Sequence, residues 1–269
     1  MKNIDVIIFG GQSNMQGQCE RLSERETVEG AYEYRYLTDT IKPLSNPVGE
    51  IIRFDRTEGQ PLAILEAKAL SEWLSEHLTG AASKGYTNLV PEFCRAYIKD
   101  SGKEVMAVHV TKGSTTIAQW IPGTQGYDII VEKARAAISK AGERYSVDRI
   151  FFAWLQGESD AIEGNSKEYY KEKLICLKDG LVRDLGIEKF GIIRVGRFTN
   201  DDRDLEIIGA QDEICSENDA FLMLTKIATR LNSDPEYMNP HVLGHYSAKG
   251  LETLGREAGK ALGEYVSTR

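Results

Sequence analysis

A chain of 269 residues with 41% hydrophobic and 28% charged residues has the make-up of a folded globular protein, not of a disordered or fibrous one. At this length a domain buries roughly three quarters of the surface its unfolded chain exposes, so neither disulfides nor metals are needed to build a core. The net charge of −8 excludes a broad basic face for nucleic acid or anionic membrane, and no run approaches the roughly 18 apolar residues that a membrane span requires.

Taken in chain order, apolar runs alternate with helical periods. Val6–Phe9 is β-branched, apolar and closed by Gly10-Gly11, a strand followed by a turn. Residues 21–60 are polar, carry Pro43 and Pro47, and show no period, so an irregular, substrate-facing excursion is expected there. Helices are expected over 88–100, 127–142, 167–185, 204–218 and 247–268, the last with Ser247 as N-cap. Strands are expected over 104–110, 149–155, 189–195 and 220–224. Strands separated by helices of this length imply βαβ crossovers and a parallel sheet covered on both faces. One α/β domain spanning 1–269 is the expectation, without repeats or linkers.

Cys19, Cys94, Cys176 and Cys215 are scattered, with no CxxC pair, and are expected as free thiols. The first residues carry no basic, apolar and small-residue leader pattern. A cytoplasmic location is expected, although a secreted form stripped of its leader has the same appearance.

In open parallel sheets ligands bind beyond the carboxyl ends of the strands. Four polar segments fall there: Gly10-Gly-Gln-Ser-Asn-Met-Gln-Gly17, Thr111-Lys-Gly-Ser-Thr-Thr-Ile-Ala-Gln-Trp120, Gln156-Gly-Glu-Ser-Asp-Ala161, and the His241/His245 stretch before the last helix. Ser13, just past a strand, is placed either as a nucleophile or as a plain helix cap. Gly113 offers a backbone N–H to an oxyanion or simply makes a turn. Gln156 can donate an amide N–H, and Glu158 can orient a neighbour or, with Asp160, cap a helix. His245 is the natural base, taking a proton from Ser13 and returning it to a leaving alcohol. His241 and His245 have a metal-like spacing, but Pro240 and Gly244 interrupt a helix and no further ligands are evident. No metal or cofactor is expected.

These blocks resemble, in order and over residues 9–255, those of the SGNH hydrolase superfamily. The resemblance is closest to its sialate O-acetylesterase-like and acetylxylan esterase-like carbohydrate esterases. It rests most on GQSNM (residues 11–15) with WLQGESD (154–160), and less on the Gly113…Trp120 segment and HYSAKG (245–250). It implies a flavodoxin-like three-layer α/β/α fold and removal of acyl groups, usually acetyl, from sugar hydroxyls. It implies Ser13 as nucleophile and His245 as base. It also implies an oxyanion hole from the Ser13 and Gly113 N–H groups with a third donor at Gln156. Gln12 and Asn14 beside Ser13, together with Trp120, are candidate substrate contacts.

The family's pattern has Asp three residues before the histidine, where this chain has Val242. Asp234, Glu236 or Glu158 can reach in instead, or a backbone carbonyl near Val242 can hold the imidazole and leave a Ser–His dyad. His241, with Met238 at the same offset, is the alternative base. The expected function is therefore a serine O-acetylesterase on an acetylated carbohydrate. Two alternatives stay open: a non-catalytic carbohydrate-binding protein, motivated by Val242, and a general short-chain acyl esterase. Arg53, Lys112, Arg194 and Arg197 are candidate partners for a sugar carboxylate, and Tyr32, Tyr34 and Tyr36 candidate stacking surfaces.

Overall fold

The computed structural model describes residues 1–19, 26–52, 64–66, 87–199 and 201–269. Strand β1 (Lys2–Gly11) runs through the middle of a nine-stranded sheet. It pairs in parallel with β6 (Glu104–Thr111) on one side and β7 (Tyr145–Leu155) on the other. Beyond β7 come β8 (Lys189–Ile193) and β9 (Phe221–Thr225), both parallel. Every residue from Ile4 to Gln16 is buried, which is why β1 reads as a continuous apolar run instead of alternating.

The other edge corrects the expectation for residues 21–60. There, β2 (Ala31–Arg35) pairs in parallel with β6 and turns back antiparallel into β3 (Thr40–Pro43). A short β4 (Glu50–Ile52) bridges to Thr111 and pairs with β5 (Ile64–Glu66). Strands of three to five residues, on an edge whose outer member is largely exposed, give no period to detect. Arg53 and residues 53–60 lie outside the described residues.

The helices form two groups. On one side α2 (Val90–Ser101) packs on α8 (Ala248–Ser267); on the other α3 (Gln125–Gly142), α5 (Lys167–Leu185) and α6 (Arg203–Glu217) pack in succession. Close approach of α8 to α2 requires small residues: a Cβ on Gly259 would lie 2.1 Å from the Phe93 carbonyl oxygen. Three short helices, α1 (Ser13–Gln16), α4 (Glu158–Glu163) and α7 (Ala228–Asn232), sit in the connections. The expected α/β/α arrangement is thus the one the chain adopts, and the long helices start and stop within two residues of the sequence expectation.

Candidate active site

Strand register creates the site. Gly11 is aligned with both Thr111 of β6 and Leu155 of β7, so three central strands end at one level. Backbone bonds lock these ends together: the Gln12 N–H donates to Leu155 O at 3.1 Å and the Lys112 N–H to Gly11 O at 3.0 Å. Gly11 has φ of +148°, and a Cβ there would lie 2.1 Å from Leu155 O. Only glycine fits this crossing point.

The turn then delivers Ser13 as the first residue of α1, a single turn closed by Gly17. First-turn N–H groups of a helix have no intrahelical acceptor, so the Ser13 N–H is left for another partner. Gly113 lies alongside, where a Cβ would stand 3.6 Å from Ser13 Cβ. Its N–H donates to Gln16 Oε1 at 3.1 Å. An amide oxygen thus occupies the acceptor position that faces Gly113. Ser114 follows with φ of +56°, unusual for a side-chain-bearing residue and a common sign of a shaped site.

Gln156 corrects the expectation. It is fully buried, and its two amide hydrogens are already committed, to Thr115 O at 2.8 Å and Asp160 Oδ2 at 2.5 Å. Its Oε1 accepts from the Tyr170 hydroxyl at 3.1 Å. With no free donor, Gln156 is not an oxyanion group. Its contact with Thr115 braces the loop that carries Gly113. Asp160, fully buried, completes the brace by accepting from the Ile117 N–H at 2.9 Å.

Gln12 and Asn14 are likewise turned inward. Gln12 Oε1 accepts from the Gly157 and Ser159 N–H groups at 3.4 and 3.2 Å, fastening the start of α4. Asn14, 2% exposed, donates from Nδ2 to Glu158 Oε1 at 2.8 Å and to Gly244 O at 3.2 Å, while its Oδ1 accepts from the Tyr246 N–H at 3.3 Å. Both therefore hold loops: Asn14 has both amide hydrogens committed, and Gln12 is tied through its Oε1. Trp120 is fully buried against Trp154, with Nε1 donating to Thr115 Oγ1 at 3.0 Å, so it is core and not a sugar platform.

His245 is half-buried in the loop before α8. Its Nδ1 lies 2.9 Å from the Leu243 carbonyl oxygen. A carbonyl only accepts, so Nδ1 carries the hydrogen and Nε2 is the basic lone pair. That Nε2 is buried and has no hydrogen-bond partner. Burial pulls the imidazole below its ordinary pKa of 6.5, partly offset by the Leu243 contact. The carbonyl against Nδ1 comes from the residue after Val242, whose own carbonyl accepts the His245 N–H at 3.2 Å.

The candidate carboxylates stand apart from the ring. Asp234 is exposed and caps the turn at Pro235–Tyr237, accepting from the Glu236 N–H at 3.0 Å, while Glu236 pairs with Lys249. Glu158 is buried and reaches the loop only through Asn14; its second oxygen has no partner. Burial raises its carboxyl pKa to about 6. His241 is exposed, its backbone N–H tied to Asn239 Oδ1. Arg194 pairs with Asp212 at 2.8 Å and Arg197 with Asp202 at 3.2 Å. Tyr32 and Tyr34 belong to β2, and Tyr36, just beyond it, donates to Glu132. Among the described residues no group of three or more His, Cys, Asp or Glu is placed to hold a metal ion, and no helix is long and apolar enough to cross a membrane.

The sequence pointed to a main-chain carbonyl near Val242 without fixing it as Leu243 O, and the roles of Gln16 and of the inward-turned Asn14 were not anticipated. Backbone acceptors leave no trace in residue identity, and the Asn14 contacts join segments 144 and 230 residues apart.

Three solved structures share this architecture. A protein from Arabidopsis thaliana matches at 16% identity and TM-score 0.61, covering 96% of this chain and 97% of its own. NanS matches at 13% identity and TM-score 0.61, covering 100% and 98%. A putative GDSL-like lipase from Parabacteroides merdae matches at 12% and TM-score 0.50, covering 98% and 97%. Comparison with curated protein sequences gives no match. The model of the family described as "Carbohydrate esterase, sialic acid-specific acetylesterase" matches residues 3–263. The chain is thus a carboxylic ester hydrolase, a member of the sialic acid-specific acetylesterase family of carbohydrate esterases.

Proposed function

We propose that the protein removes O-acetyl groups from an acetylated sugar by nucleophilic catalysis, with Ser13 as nucleophile and His245 as base. The observation that carries this reading is the state of the imidazole. Its Nδ1 is held by Leu243 O, its Nε2 is buried and unpartnered, and Asn14, the neighbour of Ser13, grips the backbone on both sides of it. A binding-only protein has no use for a basic nitrogen left without a partner. The lack of a carboxylate at Val242, which motivated that alternative, is met by the Leu243 carbonyl.

In this reading the ester carbonyl oxygen takes the place of Gln16 Oε1 opposite the Gly113 N–H. As Ser13 Oγ attacks the acetyl carbon, its proton passes to His245 Nε2. The negative charge that forms on the carbonyl oxygen is stabilised by the Ser13 and Gly113 N–H groups. The C–O bond to the sugar then breaks, and the imidazolium returns its proton to the departing sugar oxygen. Water, deprotonated by Nε2, attacks the acetyl-serine; acetate leaves and Ser13 regains its hydrogen. Among the described residues the candidate cations Arg194 and Arg197 are paired with Asp212 and Asp202, so the proposal stops at acetylated carbohydrate, with O-acetylated sialic acid first in the panel because of the family. The experiment is acetate release from O-acetylated sialic acid, acetylated xylo-oligosaccharide and p-nitrophenyl acetate. Turnover by wild type and its loss in Ser13→Ala supports the reading; equal rates for both contradict it.

A further inference from the structure

We infer that Glu158 and Asn14 act as one positioning unit for His245, standing in for the carboxylate missing at Val242, and this rests on the reading of Ser13 and His245 above. Gly244 O belongs to the peptide unit that precedes His245, and the Tyr246 N–H to the one that follows. One side-chain amide, that of Asn14, holds both. The backbone orientation of His245 is thereby fixed from two sides, and the Leu243 carbonyl fixes the ring.

An amide can be turned over, and what prevents this here is Glu158. Its Oε1 accepts from Asn14 Nδ2 at 2.8 Å, so the NH2 end faces α4 and Gly244 O and the oxygen end faces the Tyr246 N–H. Reversal would set the amide oxygen against two acceptors and the NH2 against a donor. Glu158 sits beside Asp160 on its own helix and feels Asp204 of α6 and Tyr246 of the loop. Asp204 is itself engaged by Arg197 at 3.4 Å and by the Phe198 and Thr199 N–H groups. A carboxylate at 5% exposure with one unpartnered oxygen is costly to keep. Capping a six-residue helix does not require it, because Gln12 already accepts from the Ser159 N–H. The contact that most favours its charge is the one to Asn14, ahead of the one to its own backbone N–H.

The test combines kinetics with the imidazole spectrum. Asn14→Ala and Glu158→Ala are expected to lower kcat by about 10- to 100-fold with little change in KM, the scale of a misplaced catalytic group. The double variant should be no worse than the weaker single one, since the two act in series. Glu158→Gln, which retains a carbonyl acceptor for Asn14, should recover most of the lost kcat. Nitrogen-15 spectra of the histidines, with His245 assigned by its loss in His245→Gln, should show one Nδ1–H tautomer in wild type and Glu158→Gln. The two alanine variants should show averaged tautomers. Fully additive kcat losses, or failure of Glu158→Gln to recover kcat, overturn the inference. So do alanine variants with a lower Tm but wild-type kcat and an unchanged His245 spectrum. If wild type shows no Ser13-dependent turnover, the functional reading falls, and the spectrum alone still decides whether Asn14 and Glu158 position the ring.

Discussion

In the turn after β1, every residue from Gly10 to Gln16 is buried and the backbone is bonded to both neighbouring strands. In the loop before α8, Val242, Gly244 and His245 are half-buried, His241 is exposed and the Leu243 side chain is 97% exposed. The proposed nucleophile is therefore placed by the sheet itself, through register and a glycine crossing. The proposed base is placed by a few side-chain and carbonyl contacts on a loop outside the sheet. Damage to the first region should reach the fold, whereas damage to the second should reach the chemistry and leave the fold standing.

The largest expected effect tests the second half of that contrast. His245→Ala should lower kcat by about four orders of magnitude, the scale seen when a triad's base is lost or misoriented, while the thermal midpoint stays near that of wild type. A matching collapse in Tm would show that the loop carries the fold as well. Gly11→Ala tests the first half. A Cβ 2.1 Å from a backbone oxygen, at φ of +148°, should cost about 3 kcal/mol or more, read as a shift in denaturant midpoint. A change below about 0.5 kcal/mol would mean that the strand ends yield easily.

Glu158 lies between the two regions and its titration separates them. Its carboxyl rises from 4.5 to about 6 on folding, so the protonated form is favoured in the native state. As pH climbs from below 4.5 through 6, wild type should lose about 2 kcal/mol of stability relative to Glu158→Gln, which lacks this titration. Denaturation of both proteins at pH 4 and pH 8 checks the sign; a gap that stays constant with pH contradicts it. His245 shifts the other way. Burial holds it below 6.5, so the acid limb of kcat/KM should fall below pH 6.5, in contrast to a carboxylate-paired histidine, whose limb would lie higher. The smallest effect concerns Gln16. Its oxygen occupies the Gly113 N–H, a bond worth about 1 kcal/mol net, so Gln16→Ala should raise kcat/KM by up to about fivefold. A fall would mean that Gln16 assists the ester instead of competing with it.

The same contrast explains what was legible in the sequence. β1, β6 and β7 were readable because strands buried on both faces are apolar throughout, and the turn residues after them marked one sheet edge. The long helices were readable from their period and from caps such as Ser247. The β2–β3 hairpin was not, because short strands on a half-exposed edge carry no alternation. Within the site, residue types pointed to the right segments but not to the direction each side chain faces. Gln156 looked like a donor to substrate and donates to Thr115 and Asp160 instead. Asn14 looked like a sugar contact and holds the histidine loop. Those directions depend on partners far away in the chain, and the acceptor for His245 is a main-chain carbonyl that any residue at position 243 would supply.

The most direct measurement is a rapid acid quench of wild-type enzyme turning over an O-acetylated sugar, followed by mass spectrometry of the peptide that contains Ser13. The account predicts one added acetyl group on Ser13, absent from Ser13→Ala and strongly diminished in His245→Ala, which lacks the base that activates Ser13. An acetyl adduct on another residue, or steady turnover in Ser13→Ala with no adduct at all, would contradict it.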